Sequence, residues 1–383
     1  MKNQIVGTPE LRIVSPAYDS PLTDTLFELN HLRRQSLGGT TAPWLFFQLK
    51  KVFHTLESIG SARIEGNGTT VSEYFEQKVQ TNPSKSEKYS EIANVESAME
   101  YIEENVFEGT EITHRFIREL HALVVGELTI EGDKTPGAYR TWNVEIKQSE
   151  HKPPHAIAMT DLTDELVNFI NGNDHPRYDL LKIAIVHHRF TWVHPFGNGN
   201  GRVVRLLTYA MMIKFGFNVK DGQLLNPTAV FCIDRNIYYE KLSQADSGTD
   251  DSLLGWCDYV LTGILTEVSK INKLLDFSYT SKKVLQPAIQ RSLSRQHITT
   301  AEAQILTIGI NQQSFNAGDL KSISIDLTSR QRTHQLAKLK KAGFIIPVTD
   351  GGKTYYVNFL NNVLMRSLIE ILEHENFIPP INS

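Results

Sequence analysis

The stretch HPFGNGNGRVVR, residues 194–205, decides the reading of this chain. Glycines at 197, 199 and 201 make a turn whose backbone N–H groups can point one way. The helix that opens there adds the positive end of its dipole, so the turn is suited to an anion. Arg202 and Arg205 lie three apart and share a helix face, where two guanidiniums can grip phosphate oxygens bidentately. His194 closes the other end, and a neutral imidazole there can take a proton from an attacking hydroxyl near neutral pH. A base, a phosphate cradle and a cationic clamp thus fall within one short segment.

Working outward, apolar residues recur three and four apart from Thr23 to Ile59, from Ser86 to Val106 and from Thr113 to Leu128. The same period returns over 159–170, 180–190 and 201–215, and further helices run to about Phe277, which predicts a mainly α chain. Between Gly132 and Ala158 turn residues flank an alternating stretch at Trp142 to Ile146, which reads as a β-hairpin. The polar segment 282–294 reads as a linker. Beyond it, 297–310, 317–323 and 329–342 read as short helices, and two strands flank the turn Asp350-Gly351-Gly352, the element order of a winged helix-turn-helix.

Residues 194–205 resemble the signature of the Fic family, H-P-F-x-(Asp/Glu)-G-N-G-R-x-x-R, at every position outside the acidic one. The resemblance implies a helical Fic-type core with a β-hairpin flap. It also implies transfer of AMP from ATP to a hydroxyl of a target protein, with ATP and Mg²⁺ (or Mn²⁺) as cofactors. His194 would be the general base and Phe196 the anchor of the loop. Gly199, Asn200 and Gly201 would hold the α- and β-phosphates, Arg202 the β-phosphate and Arg205 the γ-phosphate. The segment from Gly137 to Ile146 resembles the flap that aligns a target strand. Arg235, Asn236, Tyr238 and Tyr239 resemble the segment beside the nucleotide base, with Asn236 and Tyr239 as its contacts. One position departs: Asn198 stands where the family has a metal-binding acid, and a neutral amide oxygen holds a hard cation less strongly than a carboxylate.

Ser61 to Gly66, SARIEG, resembles the family's inhibitory motif. Ser61 and Glu65 share a face, Gly66 suits a helix end, and Glu65 at a helix C-terminus needs a cationic partner. The resemblance names Arg205 as that partner.

The domains expected are an N-terminal helical region with the inhibitory helix (1–105), a Fic catalytic core (106–280) and a winged-helix domain (285–383). A chain of 383 residues with 40% apolar and 21% charged residues is expected to fold into more than one domain. The N-terminus lacks a signal-peptide core and no run is long enough to span a bilayer, so a cytoplasmic protein without membrane contact is expected. Cys232 and Cys257 have no disulfide or metal spacing. Adjacent His187 and His188 face different ways on a helix, which argues against a metal site and for His187 as a hydrogen-bonded core residue behind the loop.

The net charge of −4 draws in no polyanion globally, but the helix 329–341 carries Arg330, Arg332, Lys338, Lys340 and Lys341 and no acid. Three function readings stay open. The first is a self-inhibited adenylyltransferase, acting on an unknown protein and on itself. The second is an enzyme that Asn198 and Glu65 bias toward AMP removal or another nucleotide donor. The third is a nucleotide-sensing DNA-binding transcriptional regulator with weak or no transferase activity. A homodimer is a further partner reading.

Overall fold

The computed structural model describes residues 9–34, 40–79, 86–146, 149–217, 229–323 and 327–378. The chain is mainly helical and divides into two compact units. The first comprises residues 1–37, 54–69 and 84–269; the second comprises 38–53, 70–83 and 270–383.

The helices in chain order are α1 Pro21–Arg34, α2 Pro43–Ile64, α3 Val71–Val79, α4 Glu87–Asn105, α5 His114–Val125, α6 Met159–Asn171, α7 Asp179–Val193 and α8 Asn200–Lys214. They continue with α9 Ala229–Cys232, α10 Arg235–Ala245 and α11 Asp250–Asn272. In α5 the expected stripe is buried: Phe116, Ile117, Leu120 and Val124 face inward, while the Thr113 hydroxyl accepts the Phe116 N–H as N-cap. The helix stops at Val125, before the expected Leu128, because Gly126 takes the cap position.

α7 and α8 are buried nearly all round and pack on each other at the centre of the first unit. A helix without a wet face belongs in a core. Its polar members are therefore paired: Lys182 Nζ reaches Asp174 at 2.9 Å, and His187 bonds Thr208 Oγ1 at 2.8 Å and Tyr238 Oη at 2.9 Å. His187 is thus the buried, hydrogen-bonded residue its position predicted.

The hairpin expected between Gly132 and Ala158 is a correction: no β-ladder forms among its described residues, and Lys147 and Gln148 lie outside them. Other groups satisfy the backbone there. Arg140 N donates to Pro195 O at 2.9 Å, the Arg140 side chain takes the carbonyls of Trp142 and Pro154, and Asn143 Oδ1 accepts Ala156 N. Pro136, Pro153 and Pro154 have no N–H to give a ladder.

In the second unit, α12 Phe277–Thr280, a π turn Ser281–Leu285 and α13 Gln286–Ser294 replace the expected linker. The apolar residues at 284, 285, 288 and 289 make a narrow buried stripe that the surrounding polar residues mask in the sequence. α14 Thr300–Gln312, with a Thr299–Glu302 capping box, and α15 Ser329–Lys341, with a Thr328–Gln331 box, follow as expected. Between them the helix expected over 317–323 shrinks to one 3₁₀ turn, Asp319–Ser322; residues 324–326 lie outside the described set. β1 Ile345–Pro347 and β2 Tyr355–Val357 pair antiparallel with Ile346 opposite Tyr356, and Gly351 takes the positive φ of the connecting turn. α16 Asn362–His374 completes the unit.

Candidate active site

Every residue of the 194–205 loop belongs to the first unit. α7 ends at Val193, and His194 takes a left-handed backbone (φ 51°, ψ 62°) that turns the chain into the loop. Its Nδ1 lies 3.3 Å from Thr191 O. A carbonyl can only accept, so Nδ1 carries the proton and Nε2 keeps its lone pair. Burial pushes the imidazole pKa down to about 4, so the ring is neutral across the physiological range.

Phe196 is fully buried, with its ring stacked on His121 at 3.8 Å between centroids and the Tyr139 ring tilted against it at 5.2 Å. The Asn200 side chain closes the loop on itself: Oδ1 accepts Phe196 N at 3.0 Å and Nδ2 donates to Phe196 O at 2.9 Å. Asn200 therefore spends its amide on loop shape, leaving its backbone for an anion. Gly199 has φ 74° at the N-cap of α8, and a Cβ there would press on Val125.

Glu65 lies at the mouth of this helix. A Cβ on Gly201 would collide with Glu65 Oε1, and the same oxygen accepts Arg205 Nη2 at 2.7 Å. Arg205 also donates through Nε to Ser61 Oγ and through Nη2 to Ser61 O, both at 2.9 Å. α2 ends at Ile64, and Gly66 turns the chain with φ 103°. Burial would raise the Glu65 pKa, but the Arg205 and Arg202 charges outweigh it and hold the carboxyl below its usual range. A carboxylate thus rests beside the first turn of α8, against Gly201.

Arg202 is buried without exposure. Its Nη1 lies 3.2 Å from Glu91 Oε1, and its Nη2 donates to Glu131 O at 2.8 Å. Asn236 and Tyr239 lie exposed on α10, and Arg235 caps the Tyr239 ring at 5.4 Å. Tyr238, between them in sequence, points into the core at His187.

The side chain of Asn198 is already engaged: Oδ1 accepts Gly199 N at 2.7 Å and Nδ2 donates to Gly132 O at 3.2 Å. The carboxylate beside it, Asp133, is buried and accepts Asn198 N at 2.8 Å and Thr135 N at 2.8 Å. Among the described residues no group of three or more His, Cys, Asp or Glu is placed to hold a metal. These donors do not fit a protein-held Mg²⁺.

His121, Asp133, Arg140 and Glu91 carry site geometry that the sequence reading did not assign. His121 Nδ1 accepts Gly137 N at 2.9 Å and its Nε2 donates to Asn198 O at 3.2 Å, which clips the loop to the 137–146 segment. Burial lowers its pKa to about 4. Arg140 Nε donates to His194 O at 2.8 Å and so holds the backbone of His194 from behind. A lone histidine on an amphipathic helix, or an arginine in a turn, carries no such signal in one sequence.

Residues 111–212 match the family model described as Fic/DOC. This segment is a Fic/DOC family domain. Similar proteins include a protein adenylyltransferase Fic of Nematostella vectensis, 29% identical over 197 residues covering 49% of this chain and 42% of that one. Another, of Drosophila willistoni, is 29% identical over 203 residues covering 51% of this chain and 37% of its own. The chain thus spans about two fifths of the length of these relatives. Solved structures with the same fold include a Fic family protein from Desulfovibrio desulfuricans G20 (TM-score 0.53, 18% identity, 90% of this chain and 98% of that one). A Fic domain containing signaling protein from Bacteroides thetaiotaomicron is a second (TM-score 0.52, 19% identity, 67% of this chain and 98% of that one). The matched segment contains His194, the 194–205 loop, Arg202 and Arg205; Glu65 comes from outside its bounds. Among the described residues no helix is long and apolar enough to cross a membrane.

Proposed function

We propose that the protein transfers AMP from ATP to a hydroxyl of a protein substrate and that Glu65 holds this activity down. The observation that carries the reading is His194, neutral and with Nε2 free of its Thr191 contact, at the entrance to a helix N-terminus flanked by Arg205. In the step proposed, the substrate oxygen bonds to the α-phosphorus and passes its proton to His194 Nε2. The bond from the α-phosphorus to the bridging oxygen breaks and pyrophosphate departs. The α8 N–H groups and Arg205 meet the charge that develops on the phosphate oxygens. No step is routed through a divalent ion, since the donors at Asn198 do not fit one.

Glu65 opposes that step by occupying the cradle and neutralising Arg205. Intact-mass analysis of wild type, Glu65→Gly and His194→Ala proteins after incubation with ATP tests the reading, with self-modification and an added hydroxyl-bearing protein pool as acceptors. A gain of AMP in Glu65→Gly that is absent from His194→Ala supports it; no AMP on any acceptor sinks it.

A nucleotide-responsive DNA-binding regulator is the second reading. It draws on the exposed side chains of Arg330, Lys338, Lys340 and Lys341 on α15 and on the antiparallel strand pair that follows. Arg332 drops out of that face, because it is buried and donates to Ala317 O and Leu327 O. This reading predicts salt-dependent DNA binding and no covalent product.

A further inference from the structure

Both arginines expected to grip phosphates are matched by carboxylates before any nucleotide arrives. Glu65 on Arg205 is the inhibitory contact described above. Glu91 on Arg202 is separate in sequence, on α4, and has a different character. Glu91 and Arg202 are both almost wholly buried, yet Glu91 Oε1 and Arg202 Nε make no hydrogen bond among the described residues. Charges held at 3.2 Å without good donor geometry recover little of their desolvation cost, so a better-shaped anion can exchange for the carboxylate. Burial raises the Glu91 pKa, and the Arg202 charge offsets this only in part.

The other carboxylate oxygen is tied to the inhibitory turn. Asn67 follows Gly66 directly, and its Nδ2 donates to Glu91 Oε2 at 2.7 Å and to Lys88 O at 2.8 Å. Asn67 N in turn donates to Ala62 O, within the SARIEG segment. One turn, residues 61–67, therefore fixes a carboxylate partner of each guanidinium: Arg205 through Ser61 and Glu65, and Arg202 through Asn67 and Glu91, with Glu131 Oε2 a looser second carboxylate at 3.7 Å from Arg202 Nη2.

We propose that Glu91 is a second restraining carboxylate, which competes with nucleotide phosphate for Arg202 and is held to that task by Asn67. The inference rests on the adenylyl-transfer reading and adds to it. Release of Glu65 alone leaves Arg202 still paired, and full phosphate binding requires Glu91, the nearer and more deeply buried of its two carboxylates, to give way as well. Glu91 is a positioning residue here, acting on substrate only through Arg202.

The test is calorimetric titration of ATP into full-length His194→Ala protein, which cannot turn over, carrying Glu65→Gly, Glu65→Gly/Glu91→Gln or Glu65→Gly/Asn67→Ala, with thermal midpoints measured alongside. Groups coupled in one network support an expected gain of about fivefold in ATP affinity on adding Glu91→Gln, and about twofold on adding Asn67→Ala. In proteins that retain His194, Glu91→Gln lowers KM for ATP and leaves kcat within about twofold, as expected when ground-state and transition-state binding change together. Unchanged or weaker ATP binding in the folded Glu91→Gln protein overturns the proposal and makes Glu91 a scaffold for Arg202. If Glu91→Gln does not fold, the Asn67→Ala protein decides, and unchanged affinity there also overturns it. Failure of the underlying reading looks different: the Glu65→Gly protein itself binds no ATP, or forms no AMP product with His194 present.

Discussion

Glu65 Oε1 and Arg205 Nη2 meet at 2.7 Å beside the first turn of α8, although 140 positions separate them in the chain. The carboxylate sits against Gly201, so one acidic side chain both covers the first turn of α8 and pairs the Arg205 guanidinium. Coupling energies between such contacts and a ligand amount to about 1–3 kcal/mol, or roughly 5–150-fold in affinity. Glu65→Gly is accordingly expected to raise the AMP-transfer rate at subsaturating ATP by at least about tenfold, read by intact mass over time. Ser61→Ala removes one Arg205 hydrogen bond and leaves Glu65 in place, so a rise of only about threefold is expected. A larger effect from Ser61→Ala than from Glu65→Gly would refute this ordering.

The state of His194 predicts a pH profile. Its folded pKa, about 4, is below the ordinary histidine value because burial penalises the imidazolium. The base therefore stays neutral as pH falls from 8 to 5, and the acid limb of kcat/KM in the Glu65→Gly protein is expected near 4 to 5. An inflection near 6.5 would contradict a neutral His194. The same shift bears on stability with a definite sign. The unfolded imidazole takes its proton near 6.5 while the native one refuses it until about 4, so this contribution is complete above 6.5 and is lost across that interval.

Much of this was legible in the sequence, and for identifiable reasons. The loop could be read because its glycines, arginines and histidine do local work within twelve consecutive positions. α4 and α5 could be read from the three- and four-residue apolar spacing that begins near Ser86 and Thr113, and α15 as a short helix over 329–342. Long-range polar pairing could not. Glu91, Asp133 and His121 matter through partners 111, 65 and 77 positions away, and nothing local marks them. The expected hairpin failed because alternation over 142–146 describes an extended chain but not its partner: Arg140 and Asn143 satisfied the backbone instead of a second strand. The expected linker failed for the opposite reason, since a stripe two residues wide at 284–285 and 288–289 suffices to anchor the π turn and α13.

Arg140 is the residue whose loss should separate stability from chemistry. Its guanidinium is buried and donates to the carbonyls of His194, Trp142, Pro154 and Val193. Hydrogen bonds from a charged group are worth about 1.5–3 kcal/mol each when a buried acceptor is otherwise left bare, so Arg140→Met is expected to cost on the order of 3 kcal/mol. Thermal or urea unfolding reads that loss. Arg140→Lys keeps the charge but not the fork, and is expected to recover part of the stability while the base remains misplaced and AMP transfer stays about tenfold down. Full activity in Arg140→Lys would show that the fork does not position His194.

Asn198 gives the last prediction, because its amide does two jobs that a carboxylate cannot both perform. Oδ1 accepts Gly199 N, which Asp could still do; Nδ2 donates to Gly132 O, which Asp could not. Asn198→Asp would also set a second negative charge beside Asp133, whose carboxylate already accepts Asn198 N. Losing one donor to a carbonyl costs about 1 kcal/mol, so the thermal midpoint is expected to fall. Against that cost, a carboxylate is the hard oxygen ligand that Mg²⁺ favours. In the Glu65→Gly background, Asn198→Asp is therefore expected to bind Mg²⁺ more tightly than the Asn198 protein does, read by calorimetric titration of Mg²⁺ in the presence of ATP. Equal Mg²⁺ curves with and without the Asn198→Asp substitution would mean that this position faces the loop alone.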